Sequence, residues 1–287
     1  MATAAGVAVT AAFGAAARAV ATNRGLLSDP FAEPLVRAAG VDPLARVIDD
    51  DRFAADDAGG PRFLDLCAAH TRFVDEFVAD AVGAGFRQVV LLVSGMDTRP
   101  YRLWWPPGTT VYEIDRPEVL DFKAEVLRDQ GAELTASRRA VGVDLHQDWP
   151  AALRRVGFDA AAPTVWVAEQ LLIGYLTPAL QDRVLQGVTA MSAAGSRLAC
   201  DHMPTWTPLL LEAERSFVDG WRRHGVEIDL ASLTHPGRYH YVPEYLGANG
   251  WVTAQRSVGD LSGAMGLPAP PRGGTDFVPE YLTATRV

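Results

Sequence analysis

Cysteine is nearly absent from this chain. Cys67 and Cys200 stand far apart, with no CxxC pair and no zinc-ligand spacing. That speaks against a disulfide framework and a zinc site, and two lone cysteines in 287 residues read as buried, reduced thiols of a cytosolic protein. Clustered basic residues are missing as well. A net charge of -9 without any Lys/Arg run argues against DNA or RNA as a partner, because phosphate binding needs a basic footprint. No run of about 18 strongly apolar residues occurs, so no membrane span is expected. The alanine-rich start, Ala2 to Ala17, lacks the positively charged leading region of a signal peptide. The expectation is a soluble, cytoplasmic protein whose partner is a small molecule, with no metal.

What is present is a large apolar fraction, 48%, with seven Trp, enough for a substantial core. Residues 1 to about 60 read as a helical, irregular cover. Val7 to Ala21 is an alanine-rich helix, and Asp29-Pro30-Phe31 opens a second through an Asp cap with Pro behind it. From Arg62 the pattern turns regular. Phe63, Leu66, Cys67, His70, Val74, Phe77, Val78 and Ala81 recur at helical spacing, and the apolar run Gln88 to Val93 reads as a central parallel strand. Strands at 110–115, 139–144, 164–169 and 197–201 then alternate with helices at 117–130, 150–156 and 178–191. That alternation predicts a parallel α/β sheet covered on both faces. Further on, Leu209 to Arg223 is an amphipathic helix and Pro243 to Ala248 a short one. Late strands Trp251 to Val258 and Phe277 to Thr285 are placed to pair antiparallel. The core thus spans 61–287, with an insertion at about 202–249 suited to covering a second substrate.

Ligands of open parallel sheets bind beyond the carboxyl ends of the strands. Four successive strands here end at or beside an acid: Asp97, Asp115, Asp144 and Glu169. Any one of them is equally well a loop or cap residue; the series is harder to dismiss. Gly95 lets backbone approach a ligand, and Asp115, 20 residues on, stands where nucleoside-binding sheets place an acid on ribose hydroxyls. Asp144-Leu145 offers a carboxylate beside an apolar wall, which suits adenine. The loop Ser94-Gly95-Met96-Asp97-Thr98 lacks the GxGxxG that seats a pyrophosphate, and four acids repel one. They favour a cationic nucleoside, which points to S-adenosyl-L-methionine over a nicotinamide dinucleotide.

Several segments carry a resemblance: Arg72 to Val74, Val90 to Arg99, Tyr112 to Pro117, Val143-Asp144-Leu145 and Ala168 to Leu172, with the opening Asp29 to Leu35 and the ending Tyr281 to Arg286. Together they resemble the leucine carboxyl methyltransferase family, in its bacterial branch of S-adenosylmethionine-dependent methyltransferases. The resemblance implies a class I methyltransferase (Rossmann-like) sheet of seven strands, mostly parallel with the last one reversed, behind an N-terminal helical cover. It gives Arg72 the methionine carboxylate of the cofactor, Gly95 its tail, Asp115 the ribose, Asp144 and Leu145 the adenine, and Glu169 the methionine end, with Ser94 and Asp97 of the same loop as further cofactor-binding residues. S-adenosyl-L-homocysteine would be the product. Two positions depart from the pattern: Ser94 stands where many relatives have glycine, and Gln170 where this branch often has glycine, narrowing the site.

Plainer readings exist for several of these residues. Arg72 lies four residues before Glu76, so spacing alone describes a surface ion pair. Arg99 and Arg102 read as helix-surface residues. His235, Tyr239, His240 and Tyr241 read as a solvated loop or a cover over the acceptor. His202 and Tyr175 are the catalytic candidates by position. A carboxylate acceptor, ionised above a pKa of about 4, needs no base; a phenol, near about 10, benefits from a histidine. The resemblance points to O-methylation of a small carboxylic acid in secondary metabolism, with a phenolic hydroxyl second. A cofactor-binding protein without activity is the competing class, and a nicotinamide-dependent oxidoreductase the remote one.

Overall fold

Gln88–Leu92 forms strand β1, and its side chains are buried on both faces, as its uninterrupted apolar run requires of a central parallel strand. The computed structural model describes residues 5–49, 60–203, 219, 222, 233–267 and 279–287. The predicted helix Leu209 to Arg223, apart from Asp219 and Arg222, and the start of the last predicted strand at Phe277 lie outside them.

Around β1 run β2 (Thr110–Asp115), β3 (Ser137–Gly142), β4 (Val165–Leu172), β5 (Arg197–His202), β6 (Trp251–Arg256) and β7 (Glu280–Arg286). The order is β3-β2-β1-β4-β5-β7-β6, parallel except for β7, which runs antiparallel to both β5 and β6. The seven-stranded sheet with a reversed last strand is therefore present, as is the late antiparallel pair.

Alternate residues of one strand face opposite layers. Val89 and Leu91 pack with Val74, Val78, Ala81 and Val82 of the long helix α4 (Gly60–Gly83). Val90 and Leu92 face a larger core built with α7 (Trp149–Arg155) and α8 (Pro178–Ala190). Both of these helices begin with Pro at N1/N2 behind a side-chain cap, Asp148 accepting from Ala151 N at 3.0 Å and Thr177 from Leu180 N at 3.3 Å. Gly187 on α8 is required by packing. A Cβ there would lie 2.4 Å from Cζ2 of Trp149, a ring wedged edge-on against Trp166 with centroids 6.2 Å apart.

The N-terminal cover is α1 (Ala5–Asn23), α2 (Ala32–Ala38) and α3 (Asp42–Asp49). Ala12, Ala15, Ala16 and Ala19 of α1 let it pack closely against Leu35, Leu44, Leu64 and Met96. Among the described residues no helix is long and apolar enough to cross a membrane.

Three helices escaped the sequence pattern. α3 and Val258–Ala264 are only two turns long, too short to show a periodicity, the latter being fixed by a Ser257–Asp260 capping box. The single turn α5 (Arg99–Arg102) is held by ion pairs described below. β3 begins two residues earlier than predicted, because as an edge strand with largely exposed side chains it has no apolar run to mark its bounds. Asp144 therefore stands beyond the end of β3.

Candidate functional site

The strand order reverses direction between β1 and β4, the switch point at which an open sheet leaves a crevice. Two adjoining cavities of about 190 and about 260 Å³ lie there, sharing Val93, Asp115, Arg116, Gln170 and Tyr175. The smaller lies between α1 and the β1 and β4 ends, reaching Arg18, Cys67, Thr71, Asp97 and Glu169. The larger has a mostly aliphatic wall, Ile114, Val143, Leu145, Leu171, Leu176 and Leu180, with Asp144 and His146 at its edge.

Its first wall is the loop after β1. Val93 and Gly95 both take left-handed backbone, φ 51° and 48°, which turns the chain sharply and brings Gly95 under α1. A Cβ on Gly95 would sit 3.4 Å from that of Ala11. The Gly95 N–H donates to Asp115 Oδ2 at 2.7 Å, and the Arg116 N–H donates to the other oxygen at 2.7 Å. Burial pushes the Asp115 carboxyl up, against the pull of those two N–H groups. Each oxygen retains acceptor capacity for a further donor.

Asp97 and Glu169 are not free carboxylates. Both accept from Nη1 of Arg99 at 2.5 Å, while Arg99 Nε donates to Asp75 Oδ1 at 2.7 Å. Asp75 in turn takes both terminal nitrogens of Arg102, at 2.7 and 2.8 Å. Burial pushes Asp97 up, but Arg99, with Lys123 and Arg18, outweighs it and holds the carboxyl at about 2. Above this network Arg18 donates through Nε to Asp29 at 2.8 Å and through Nη2 to the Met96 carbonyl at 2.6 Å. Asp29, Asp75, Asp97 and Glu169 face three guanidinium groups, an excess of one carboxylate within this cluster, while Asp115 beside it feels Lys123 and Arg116.

Of the residues singled out from sequence, Ser94, Gly95, Asp97, Asp115, Glu169 and Tyr175 line the smaller cavity and Asp144, Leu145 and Tyr175 the larger. Two are not brought there. Arg72 pairs with Glu76 at 2.7 Å on the exposed side of α4, while its neighbour Thr71 faces the cavity. His202 is wholly buried away from both cavities, edge-on to Tyr241 with ring centroids 5.5 Å apart, and burial lowers its pKa to about 4. Arg99, read as a surface residue, is only 2% exposed. Arg18, Thr71 and Cys67 were missed. Arg18 had one signal, as the single charge in an otherwise apolar, alanine-rich helix. The loop around Tyr239 is tied down, its hydroxyl donating to the Leu176 carbonyl at 2.7 Å while the His235 N–H donates to Gly174 O at 2.8 Å.

An open sheet of this order, with its last strand reversed and a crevice at its switch point, is a class I methyltransferase fold. The sequence profile of the family Leucine carboxyl methyltransferase matches residues 8–189. The chain belongs to that family. It is 67% identical to a protein of Mycobacterium avium (strain 104), over the whole of both chains, and 49% identical to one of Mycobacterium marinum, covering 91% of this chain and 87% of that one. Both relatives are named, provisionally, S-adenosyl-L-methionine-dependent methyltransferases. Among solved structures it is similar to a DUF574 family protein from Streptomyces avermitilis (TM-score 0.51, 16% identity, 84% of this chain and 90% of that one). It is also similar to the magnesium protoporphyrin IX methyltransferase of Synechocystis with bound SAH (TM-score 0.50, 15% identity, 86% and 94%). As a member of its family the chain is a methyltransferase dependent on S-adenosyl-L-methionine.

Proposed function

We infer that the enzyme transfers the methyl group to the oxygen of a small carboxylic acid. The observation that carries this reading is what lines the smaller cavity. Among its described lining residues there is no histidine, the Cys67 thiol is pushed up by burial, Arg18 is a permanent cation, and His202 lies buried off the cavity. No imidazole therefore stands in that cavity to take a proton from the acceptor. A carboxylate arrives ionised and requires no base, whereas a phenol would have to lose a proton first.

The residues fit the cofactor. Asp115 has acceptor capacity for the ribose hydroxyls, held in place by the Gly95 and Arg116 N–H groups. Leu145, Ile114 and Leu180 provide an apolar bed for adenine, with Asp144 at its rim for the amino group. Arg18, fixed by Asp29 and Met96 in the lining of the smaller cavity, suits the methionine carboxylate better than Arg72, and the excess negative charge beside Glu169 suits the ammonium. When bound, S-adenosyl-L-methionine supplies a sulfonium methyl group, which an acceptor oxygen takes in line while the carbon–sulfur bond breaks and its electron pair stays on sulfur. The chain contributes position and exclusion of water. An anion and a cation that neutralise each other react faster out of water, so the apolar wall of the larger cavity favours the transfer.

The test is methyl transfer from labelled cofactor to a panel of monocarboxylic acids and phenols. A methyl ester releases methanol in base and a methyl ether does not, so the product class reads out directly. Turnover of phenols alone would overturn the carboxylate reading. S-adenosyl-L-homocysteine binding without any transfer would favour the non-catalytic class.

A further inference from the structure

Gln170 occupies a backbone position that side chains avoid. Its φ is 52°, in the left-handed region where glycine sits freely and a Cβ is crowded. It lies in β4 where the pairing with β5 slips between Ala168 and Leu172. The slipped turn is clamped from below by Asp201, whose Oδ1 accepts the Gln170 N–H at 2.7 Å. Asp201 is itself buried and stands 3.8 Å from Nδ1 of His70.

This turn directs the Gln170 side chain into the cleft, where it lines both cavities. Its amide reaches across to α1 and α4. A Cβ added to Gly14 would lie 3.4 Å from Oε1, and Nε2 is 3.8 Å from Cys67 Sγ, a weak acceptor. The chain thus holds a long polar side chain at a strained position in its cleft, and such strain persists where the side chain has work to do. The charged groups nearby are already engaged, Glu169 with Arg99 and Arg18 with Asp29 and Met96. Among these neighbours the Gln170 amide is the donor with only a weak partner.

Neutrality is an advantage in this role. A carboxylate loses its charge as it takes up a methyl group, so a guanidinium bound to it would stabilise the starting anion more than the transition state. An uncharged amide orients the anion with less of that penalty.

We propose that the Gln170 amide is the specificity-determining donor that holds the acceptor carboxylate, and that Asp201 is the positioning residue that keeps Gln170 in place. The assignment rests on the carboxylate reading above. The test uses the full chain with Gln170→Gly, Asp201→Ala and Asp201→Asn. Three quantities are measured: benzoate and short alkanoate binding to the S-adenosyl-L-homocysteine complex by calorimetry, kcat and KM for methyl transfer, and thermal midpoint. Gln170→Gly relieves the backbone, so its midpoint holds or rises and its affinity for S-adenosyl-L-homocysteine is kept. Carboxylate affinity drops and KM rises by about tenfold or more, the loss expected for a hydrogen bond to a charged group, with kcat little changed. Asp201→Ala raises KM in the same way and Asp201→Asn, which keeps an acceptor oxygen, restores it. If carboxylates are methylated and Gln170→Gly keeps their KM within about twofold, the assignment alone is overturned. If the wild-type protein methylates phenols and neither binds nor methylates carboxylates, the acceptor reading falls and takes this assignment with it.

Discussion

Replacing Arg99 by Met should unfold the protein at a markedly lower temperature. Met has similar reach and no charge, so the perturbation is the loss of one guanidinium from a site only 2% exposed. Asp75 keeps both of its bonds to Arg102, but Asp97 and Glu169 each lose a 2.5 Å partner while their side chains stay only 11% and 17% exposed. Leaving a buried charge without its partner costs about 3–5 kcal/mol. For a domain of this size one kcal/mol moves the midpoint by roughly 2–4 °C, so a fall on the order of 10 °C is expected near pH 7.5. The pH dependence separates this cause from simple loss of packing. With Arg99 gone, burial is less opposed and the Asp97 carboxyl rises from about 2 in the folded state. A folded pKa above the unfolded one destabilises at high pH, and the penalty fades as pH falls and the group takes its proton. Scanning calorimetry should therefore show the deficit shrinking as pH falls and vanishing towards about pH 2, where Asp97 takes its proton with or without Arg99. A midpoint within about 2 °C of wild type, or a deficit that does not change with pH, would refute the reasoning.

Asp115→Ala should weaken S-adenosyl-L-homocysteine binding by at least about 100-fold in calorimetry, since each hydrogen bond to a carboxylate contributes about 1.5–3 kcal/mol and the partner of two ribose hydroxyls is lost. Affinity retained within about threefold would remove the nucleoside site from this cleft. Gly187→Ala places a Cβ 2.4 Å from Trp149 Cζ2, and the overpacking penalty of about 1–3 kcal/mol outweighs a helix-propensity gain of about 1 kcal/mol. A melting midpoint equal to or above wild type would show that the Trp149 ring has room to shift. In the wild-type protein the Asp97 pairing is depressed below its unfolded value of about 3.9, so its contribution is complete above about pH 4 and fades as pH falls towards about 2. Asp97→Asn should flatten that acid limb of the stability profile, and an unchanged limb would assign it to other carboxylates.

The sheet was legible because its central strands are buried on both faces and write continuous apolar runs, as Val89 to Leu92 and Val165 to Ala168 do. Where a strand lies at an edge, as Ser137–Gly142 does, the run vanishes and the boundary drifts. The part of the cleft built from strand ends was legible for a related reason. Gly95, Asp115, Leu145 and Glu169 sit in or just beyond the ends of strands, so a strand pattern also locates them. The part built from helices was not. Arg18, Thr71 and Cys67 come from α1 and α4, and which of their faces meets the sheet depends on helix packing. Arg72 and Thr71 are adjacent in sequence, yet one faces solvent and the other the cavity.

Charge was the least transferable part of the sequence reading. Four acids at four strand ends suggested a strongly negative pocket, but Asp97 and Glu169 share Arg99, Arg102 follows three positions on, and both arginines fold back onto Asp75. Asp144 is largely at the surface with His146, 2.7 Å away, as its partner. The preference for a cation therefore narrows to Asp115 and the one carboxylate by which the buried network exceeds its arginines. That is a weaker field than four free acids, yet a more useful one. A nearly balanced network suits a cationic cofactor and leaves the proposed carboxylate acceptor open to the same cleft, whereas a pocket of four unpaired carboxylates would repel such an acceptor.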